Sequence, residues 1–286
     1  MSYRIFTDAT ADFPGDVPAN VTVIPMAVNV GGQDFLYGPG GNLTTERFYS
    51  NLRNGLFAST SQINPETYRD YFEPVLQNGE DVLYLCFSSG MSGCCQSAII
   101  CMQELRQKYP QRKLECVDTL CASVGESFLV IEAANKATSG IKMEKLIHWI
   151  NLKKLNVCHW FTVDTFDHLK HGGRVSAASA IMGTMLGIKP LLHVDENGKL
   201  AAVEKPRGRK KAMEVQISRM ENGWIPAQSP LVIIGHGDCP DAAEEMKQQV
   251  QSRFPDADIR IATIGPVIGA HTGPGMLALI YWGNNR

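Results

Sequence analysis

A stretch near the carboxyl end of the chain, IGPVIGAHTGPGMLAL at residues 264–279, combines hydrogen-bond donors with unusual backbone freedom. Its apolar flanks predict two strands around a Gly-rich turn that carries His271 and Thr272. Glycine accepts positive φ values and lets a ligand approach the backbone, so the glycines, Gly269 among them, would present both side chains as fixed donors. A tight turn with a structural histidine explains the pattern equally well.

A second candidate donor is Ser92 in SSGMSG, where a predicted buried strand leads into a helix. Helix N-termini attract anions, because their first N–H groups lack partners and the helix dipole is positive there. The Ser92 hydroxyl and the amides of Gly93 and Cys94 therefore predict a carboxylate or phosphate site. The alternative is that Ser92 caps its own helix. The serine-nucleophile elbow requires glycine two positions later, where this chain has Cys94.

The remaining polar and sulfur-containing clusters are less specific. TDATADFP at residues 7–14 crowds hydroxyl and carboxyl groups after a predicted strand, where they could line a site or form a loop and helix cap. Cys94 and Cys95 start a helix, which can lower a thiol pKa, although buried cysteines are usually inert. The seven histidines are scattered without paired ligand spacing, so no metal site is predicted.

The overall composition predicts a globular protein without general affinity for nucleic acids or membranes. Hydrophobic residues make up 44% of the 286 residues, and the formal net charge is -2. The eight cysteines form no CxxC motif, and we find neither a signal peptide nor a membrane span, so we expect reduced thiols and a cytoplasmic location. Basic runs at 170–174 and 205–211 suggest docking of an acidic or phosphorylated partner.

The order of predicted elements indicates an α/β fold with two domains. Strands alternate with helices up to Lys154, which predicts an N-terminal three-layer α/β/α domain, residues 1–154, with a mostly parallel sheet and an extended excursion near 30–60. Residues 20–30 are predicted to form one strand. From 155 to 286 the pattern predicts an α+β domain with a mixed or antiparallel sheet, including a hairpin at DENG.

Several motifs, in this order, resemble those of the DegV family of bacterial fatty-acid-binding proteins. They are TDATADFP, TSQ, SSGMSG, VDTLCAS, VDTFDHLKHGGRVS, GIKPLL, RKKA and GPVIGAHTGPG. The resemblance covers nearly the whole chain. It implies a non-catalytic protein without a cofactor that holds one long-chain fatty acid. The partner would be a separate ATP-binding fatty-acid kinase subunit that phosphorylates the bound carboxylate to an acyl phosphate.

The resemblance also assigns roles to particular residues. The carboxylate would be bound by Thr60, Ser92, the amide of Gly93, His271 and Thr272. Partner-facing candidates are Arg174, Arg207 and Arg209. The predicted helix from Ala177 to Leu186 is rich in methionine and small residues, which suits either a tunnel wall or ordinary core packing. The tunnel candidates are Ile181, Met182, Met185, Leu186 and Met276.

The chain departs from the family pattern at a few positions, and other functions stay open. Cys94 and Cys95 replace the usual Thr-Tyr, Ala9 replaces a serine, and Ile63 and Asn64 replace Pro-Ser. These changes leave the donor set intact but bear on chain-length preference. A serine hydrolase or acyltransferase using Ser92 with His271 as its base is the main alternative. A phosphate- or nucleotide-binding module at the same helix start is a third.

Overall fold

From residue 45 to residue 138 the chain alternates helices with strands, as the sequence predicts. The structure is a computed structural model, and it describes residues 2–174, 187–284 and 286. Up to residue 153 the elements are β1 (Tyr3–Asp8), β2 (Val21–Ile24), β3 (Met26–Val30), β4 (Gln33–Tyr37), α1 (Thr45–Arg53), β5 (Ala58–Thr60), α2 (Pro65–Gln77), β6 (Asp81–Cys86), α3 (Cys94–Lys108), β7 (Leu114–Asp118), α4 (Ser123–Thr138) and α5 (Met143–Lys153).

The second half follows after a short 3₁₀ turn at Lys154–Asn156. Its elements are β8 (Val157–Thr162), α6 (Asp167–His171), β9 (Leu191–Val194), β10 (Leu200–Glu204), α7 (Gly208–Gly223), β11 (Leu231–His236), α8 (Pro240–Arg253), β12 (Asp258–Thr263), α9 (Pro266–Thr272) and β13 (Leu277–Trp282). The predicted helix at 177–186 lies outside the described residues. In the described part, no helix has the length and apolar character needed to cross a membrane.

The N-terminal sheet is parallel and is covered by helices on both faces. Its strand order is β2-β1-β6-β7, and every pairing is parallel. Alternate residues face opposite ways: Leu83 packs in the cluster that contains residues of α4 and α5, whereas Tyr84 packs with those of α2 and α3. Burial on both faces explains why β6 is an almost continuous apolar run. The predicted three-layer arrangement with a parallel sheet is confirmed.

The single strand predicted over residues 20–30 is wrong. The chain forms two strands that break at Pro25 and join different sheets. β2 pairs with β1, whereas β3 is the centre of an antiparallel sheet of order β4-β3-β5. Proline has no N–H to donate to a ladder and a fixed φ, so it ends one strand and redirects the next. This small sheet and α1 are the excursion predicted near 30–60.

The C-terminal sheet is mixed, with the order β10-β9-β8-β13-β11-β12. Only the β11–β12 pair is parallel among its described pairings. The predicted hairpin at DENG is confirmed, because β9 and β10 pair antiparallel and Gly198 adopts a φ of +69° in the turn between them. Helices α7 and α8 cover one face of this sheet, and α4 packs on the other.

Helix α4 is shared by both halves of the molecule. It packs under the parallel sheet and also contacts β8, β11 and β13 of the mixed sheet. Its Phe128 ring stacks on Trp282 of β13 at 5.7 Å between ring centroids. One helical layer therefore lies between the two sheets. The division of the chain into domains 1–154 and 155–286 stays a prediction.

One buried carboxyl group, that of Asp12, connects the loop after β1 to the starts of α4 and α9. The Ser123 hydroxyl donates to Asp12 Oδ2 at 2.5 Å, and the Gly265 N–H donates to Oδ1 at 2.8 Å. Asp12 is 4% exposed, and burial raises its pKa to about 7 despite these two donors. The group is therefore partly protonated in the folded protein near neutral pH.

Replacement of Asp12 by asparagine should remove a pH dependence of stability. Since the folded pKa is raised, the folded state holds this proton more tightly than the unfolded state between about pH 4 and 7. This contribution to the free energy of unfolding is therefore present at low pH and is lost as the pH rises, at up to about 1.4 kcal/mol per pH unit. Urea unfolding at pH 5 and pH 7 should show Asp12→Asn gaining about 2 kcal/mol relative to the native protein over that interval.

The control for this experiment is Asp16→Asn, which changes an exposed carboxyl group on the same loop. Its stability difference from the native protein should be the same at both pH values. An Asp12→Asn curve that runs parallel to that of the native protein would contradict the assignment.

Candidate functional site

A cavity opens at the carboxyl edge of the parallel sheet, at the point where the strand order reverses. β1 leads to β2 on one side and β6 leads to β7 on the other, so the loops after β1 and β6 diverge. Such crevices are the usual ligand sites of open α/β sheets. The loop after β1 contributes Thr10 to the cavity wall, and the loop after β6 contributes Met91 and Ser92.

The cavity is lined mainly by apolar side chains. Counted together with the open solvent at its mouth, the space between the lining atoms is about 780 Å³. The wall includes Phe87 and Met91 after β6, Phe161 and Ile280 of the mixed sheet, and Met276. Of the predicted tunnel residues, Met276 thus lies at the cavity. Four others lie outside the described residues: Ile181, Met182, Met185 and Leu186.

One end of the cavity is polar. Thr60, Ser92, His271 and Thr272 all line it, although they come from β5, the loop before α3, and α9. His271 Nε2 lies 2.9 Å from Thr60 Oγ1, a contact between residues 211 positions apart. Gly93 is not among the residues that line the cavity. The Gln62 Oε1 atom lies where a Cβ of Gly93 would be. The structure brings four of the five predicted carboxylate-binding residues to one cavity.

His271 and Thr272 lie on the short helix α9, so the predicted turn across them is wrong. Gly265 precedes the helix and Pro266 is its first residue, a position that suits proline because no N–H bond is lost there. A seven-residue helix has little intrinsic stability. It forms here because its residues are almost all buried against neighbouring elements.

The expectation of a positive φ is wrong for Gly269, which is helical, and correct for Gly273 and Gly275. A Cβ at Gly269 would lie 2.7 Å from the Phe48 ring and 2.8 Å from the Tyr49 hydroxyl. This glycine therefore allows α9 to pack closely on α1. It does not face a ligand.

His271 is neutral at physiological pH. Burial, helped by the positive charge of Arg174, lowers the pKa of its imidazole to about 4. Its Nδ1 is buried and has no hydrogen-bond partner among the described residues, and it lies against Gly172. A proton on Nδ1 would be a buried donor without an acceptor, so the tautomer with the proton on Nε2 is favoured. The Nε2–H then donates to Thr60 Oγ1.

This hydrogen-bond arrangement leaves hydroxyl hydrogens free to face the cavity. Thr60 Oγ1 accepts from His271, so its own hydrogen is free to donate. Ser92 Oγ accepts from the Cys94 N–H at 3.3 Å, but the N-cap of α3 is Gly93 and no side chain caps that helix, so the capping alternative for Ser92 is wrong. The Ser92 hydroxyl hydrogen can turn to the Cys94 thiol or to the cavity. Thr272 differs, because its hydroxyl donates to the Ile268 carbonyl within α9 at 3.2 Å.

The three predicted partner-facing arginines have different environments. Arg174 is exposed and also lines the cavity, where its Nε donates to the Met91 carbonyl at 3.2 Å. Arg207 is exposed just before α7. The Arg209 side chain is only 22% exposed and forms an ion pair with Asp164 at 2.6 Å. Sequence reasoning missed the position of Arg174 beside the polar end of the cavity.

A buried carboxyl pair behind the cavity was also missed. The Thr10 Oγ1 atom lies 2.5 Å from Asp8 Oδ1 and 2.8 Å from Glu126 Oε2. One hydroxyl hydrogen cannot serve both acceptors, so at least one carboxyl group carries a proton. Burial raises the pKa of both groups, in agreement with a shared proton. TDATADFP indicated the carboxyl groups of the loop, but Glu126 lies in a helix without any distinguishing signal.

Comparisons with known proteins agree on one family. The sequence profile of the DegV family, described as "Uncharacterised protein, DegV family", matches residues 2–284. A DegV domain-containing protein of Clostridium perfringens is 36% identical over 286 residues, which cover 99% of this chain and 98% of that protein.

Solved structures show the same fold. A DegV family protein from Thermus thermophilus, described by its fatty-acid binding, superposes with a TM-score of 0.88 at 28% identity, covering 99% of this chain and 100% of that chain. The fatty acid kinase B3 protein of Streptococcus pneumoniae, loaded with linoleic acid, has a TM-score of 0.86 at 20% identity with the same coverage. From its motifs, fold and full-length matches, the chain belongs to the DegV family.

Proposed function

We propose that the protein binds one long-chain fatty acid and presents its carboxylate to an ATP-binding kinase subunit, which forms the acyl phosphate. The observation that carries the proposal is an apolar cavity that ends at hydroxyl donors and a neutral imidazole. No carboxylate is among the described residues that line the cavity, so nothing there repels an anion. The protein itself then needs neither a catalytic group nor a cofactor, and it acts in the cytoplasm.

Burial of the tail would supply most of the affinity. About fourteen methylene groups at roughly 0.8 kcal/mol each contribute on the order of 10 kcal/mol before ordering costs. The polar end contributes less, but it fixes which end of the ligand points outward. Thr60, Ser92 and His271 therefore set the orientation, and the Thr272 side chain contributes packing.

Two features support presentation of the carboxylate to a partner. Arg174 is exposed at the polar end of the cavity, so a guanidinium lies where a carboxylate would meet a second protein. Arg207 is exposed and sits in the basic run before α7. Similarity to the Thermus thermophilus fatty-acid-binding protein supports the ligand class, and the kinase B3 protein, which shares the fold, suggests the class of partner.

The geometry does not favour a serine hydrolase or acyltransferase. His271 Nε2 is bonded to Thr60 and not to Ser92, and Nδ1 lacks a carboxylate among the described residues that would orient the ring. The apolar wall likewise does not favour a nucleotide.

The direct test is mass spectrometry of the purified protein, native and then after solvent extraction. We expect one long-chain fatty acid per chain, and its length and unsaturation would describe the cavity. A protein that is empty and takes up no added fatty acid would overturn the proposal. Hydrolysis of a chromogenic ester that is abolished by Ser92→Ala would favour the hydrolase instead.

Removal of a donor should weaken retention of the fatty acid. Loss of one hydrogen bond to a charged group costs about 1.5–3 kcal/mol, so Ser92→Ala and His271→Ala should each lower affinity by about 10- to 100-fold. Titration with a fluorescent fatty acid measures this change. Ser89→Ala is the matched control, since it removes an exposed hydroxyl from the same loop and should leave affinity unchanged. Unchanged binding in both Ser92→Ala and His271→Ala would refute the site.

If Arg207 lies on the partner surface, its replacement should change the kinase reaction and not fatty-acid binding. Arg207→Glu should lower the rate of acyl-phosphate formation with an added kinase subunit by about 10-fold, because reversal of an interface charge slows association. Its fatty-acid affinity should stay at the native value. Arg260→Glu, which changes an arginine paired with Asp258 on β12, is the control and should affect neither quantity. Equal rates for both variants would remove Arg207 from the partner surface.

A further inference from the structure

Three cysteine thiols converge on one point between the parallel sheet and α3. Cys86 is the last residue of β6, Cys116 lies in β7, and Cys95 lies in the first turn of α3. Their Sγ atoms all lie within 4.8 Å of one another, and the Cys95 and Cys116 sulfurs are 3.8 Å apart. We propose that Cys86, Cys95 and Cys116 form a binding site for a thiophilic metal ion of the Zn²⁺ class.

The sheet register explains why the two strand cysteines share a face. Cys116 pairs with Tyr84 across the parallel ladder, and Cys86 follows Tyr84 by two positions. Side chains two residues apart in a strand point to the same side. Both thiols therefore point toward α3, and Cys95 of this helix supplies the third sulfur.

The spacing of the sulfur atoms fits metal ligation. A Zn–S bond is about 2.3 Å long, so sulfurs in a tetrahedral or trigonal site are separated by about 3.8–4.0 Å. The Cys95–Cys116 distance already has this value, and the remaining sulfurs lie within 4.8 Å. A shift of about 1 Å would bring even sulfurs 4.8 Å apart to this spacing. Three protein ligands leave a fourth position for water or a small ligand.

A helix start and one ammonium group lie close to the cluster. The Lys154 ammonium is near the Cys95 sulfur. The first turn of a helix also stabilises a thiolate. Thiolates are the ligands that zinc and other soft ions prefer. Three thiolates with one divalent ion carry a net charge of about -1, which Lys154 partly offsets.

The site combines a route of entry with a shielded interior. Cys116 is half-buried, whereas Cys86 and Cys95 are 0% and 6% exposed. An ion can therefore reach the sulfurs from the Cys116 side and be held away from solvent. This cluster lies outside the wall of the acyl cavity, so the inference does not depend on the proposed function.

The test uses the reduced, chelator-treated full-length protein. Zn²⁺ titration in competition with a chromophoric chelator should show one tightly bound ion per chain, and Cd²⁺ should give sulfur-to-metal charge-transfer absorption in the ultraviolet. Cys95→Ala and Cys116→Ala should each lower Zn²⁺ affinity by about 100-fold or more. Cys116→Ala changes a half-buried position, so it keeps the test available if Cys95→Ala fails to fold.

The matched control is Cys101→Ala, which removes a buried thiol from the same helix but outside the cluster. It should bind Zn²⁺ like the native protein. Equal affinity in Cys95→Ala and Cys101→Ala, or absence of the Cd²⁺ band in the native protein, would overturn the proposal. So would a Cys95–Cys116 disulfide, found by peptide mapping, in freshly isolated protein that binds no metal after reduction.

Discussion

The buried carboxyl group of Asp12 is the constraint on which the cavity depends. It accepts from the start of α4 and from the backbone N–H that precedes α9, and these contacts join a loop of the parallel sheet to both helices. Without an acceptor, the Gly265 N–H would be buried unpaired, which costs about 1–3 kcal/mol. α9 carries His271, so the same interaction that stabilises the junction also positions the polar end of the cavity.

For the proposed fatty-acid ligand, the two ends of the cavity would meet different requirements. Its apolar wall comes from the loops of the parallel sheet and the inner face of the mixed sheet. This wall would bury the acyl tail but would not fix which way the ligand points. Its polar end provides direction with neutral donors, because a permanently charged group buried there would incur a large desolvation cost whenever the cavity is empty. The low pKa of His271 follows from this burial, and the exposed Arg174 supplies the positive charge where water can solvate it.

Much of the fold was predictable because periodicity reports burial. The continuous apolar run of β6 predicted a strand covered on both faces, and the Asn-Gly turn predicted the β9–β10 hairpin. The errors occurred where tertiary contacts override local pattern. Pro25 divides an alternating run between two sheets, and α9 is a helix despite Gly269 because its surroundings bury it.

The sequence by itself determined most of the element order, the family and the types of donor available, because each depends on local pattern or on motifs in a fixed order. Only the tertiary structure decided which groups meet. The Thr60–His271 hydrogen bond, the position of Arg174 at the cavity and the Asp8–Thr10–Glu126 cluster join residues far apart in the chain. The three converging cysteines likewise depend on strand register and helix docking. No local pattern encodes such contacts, since they follow from how whole elements pack.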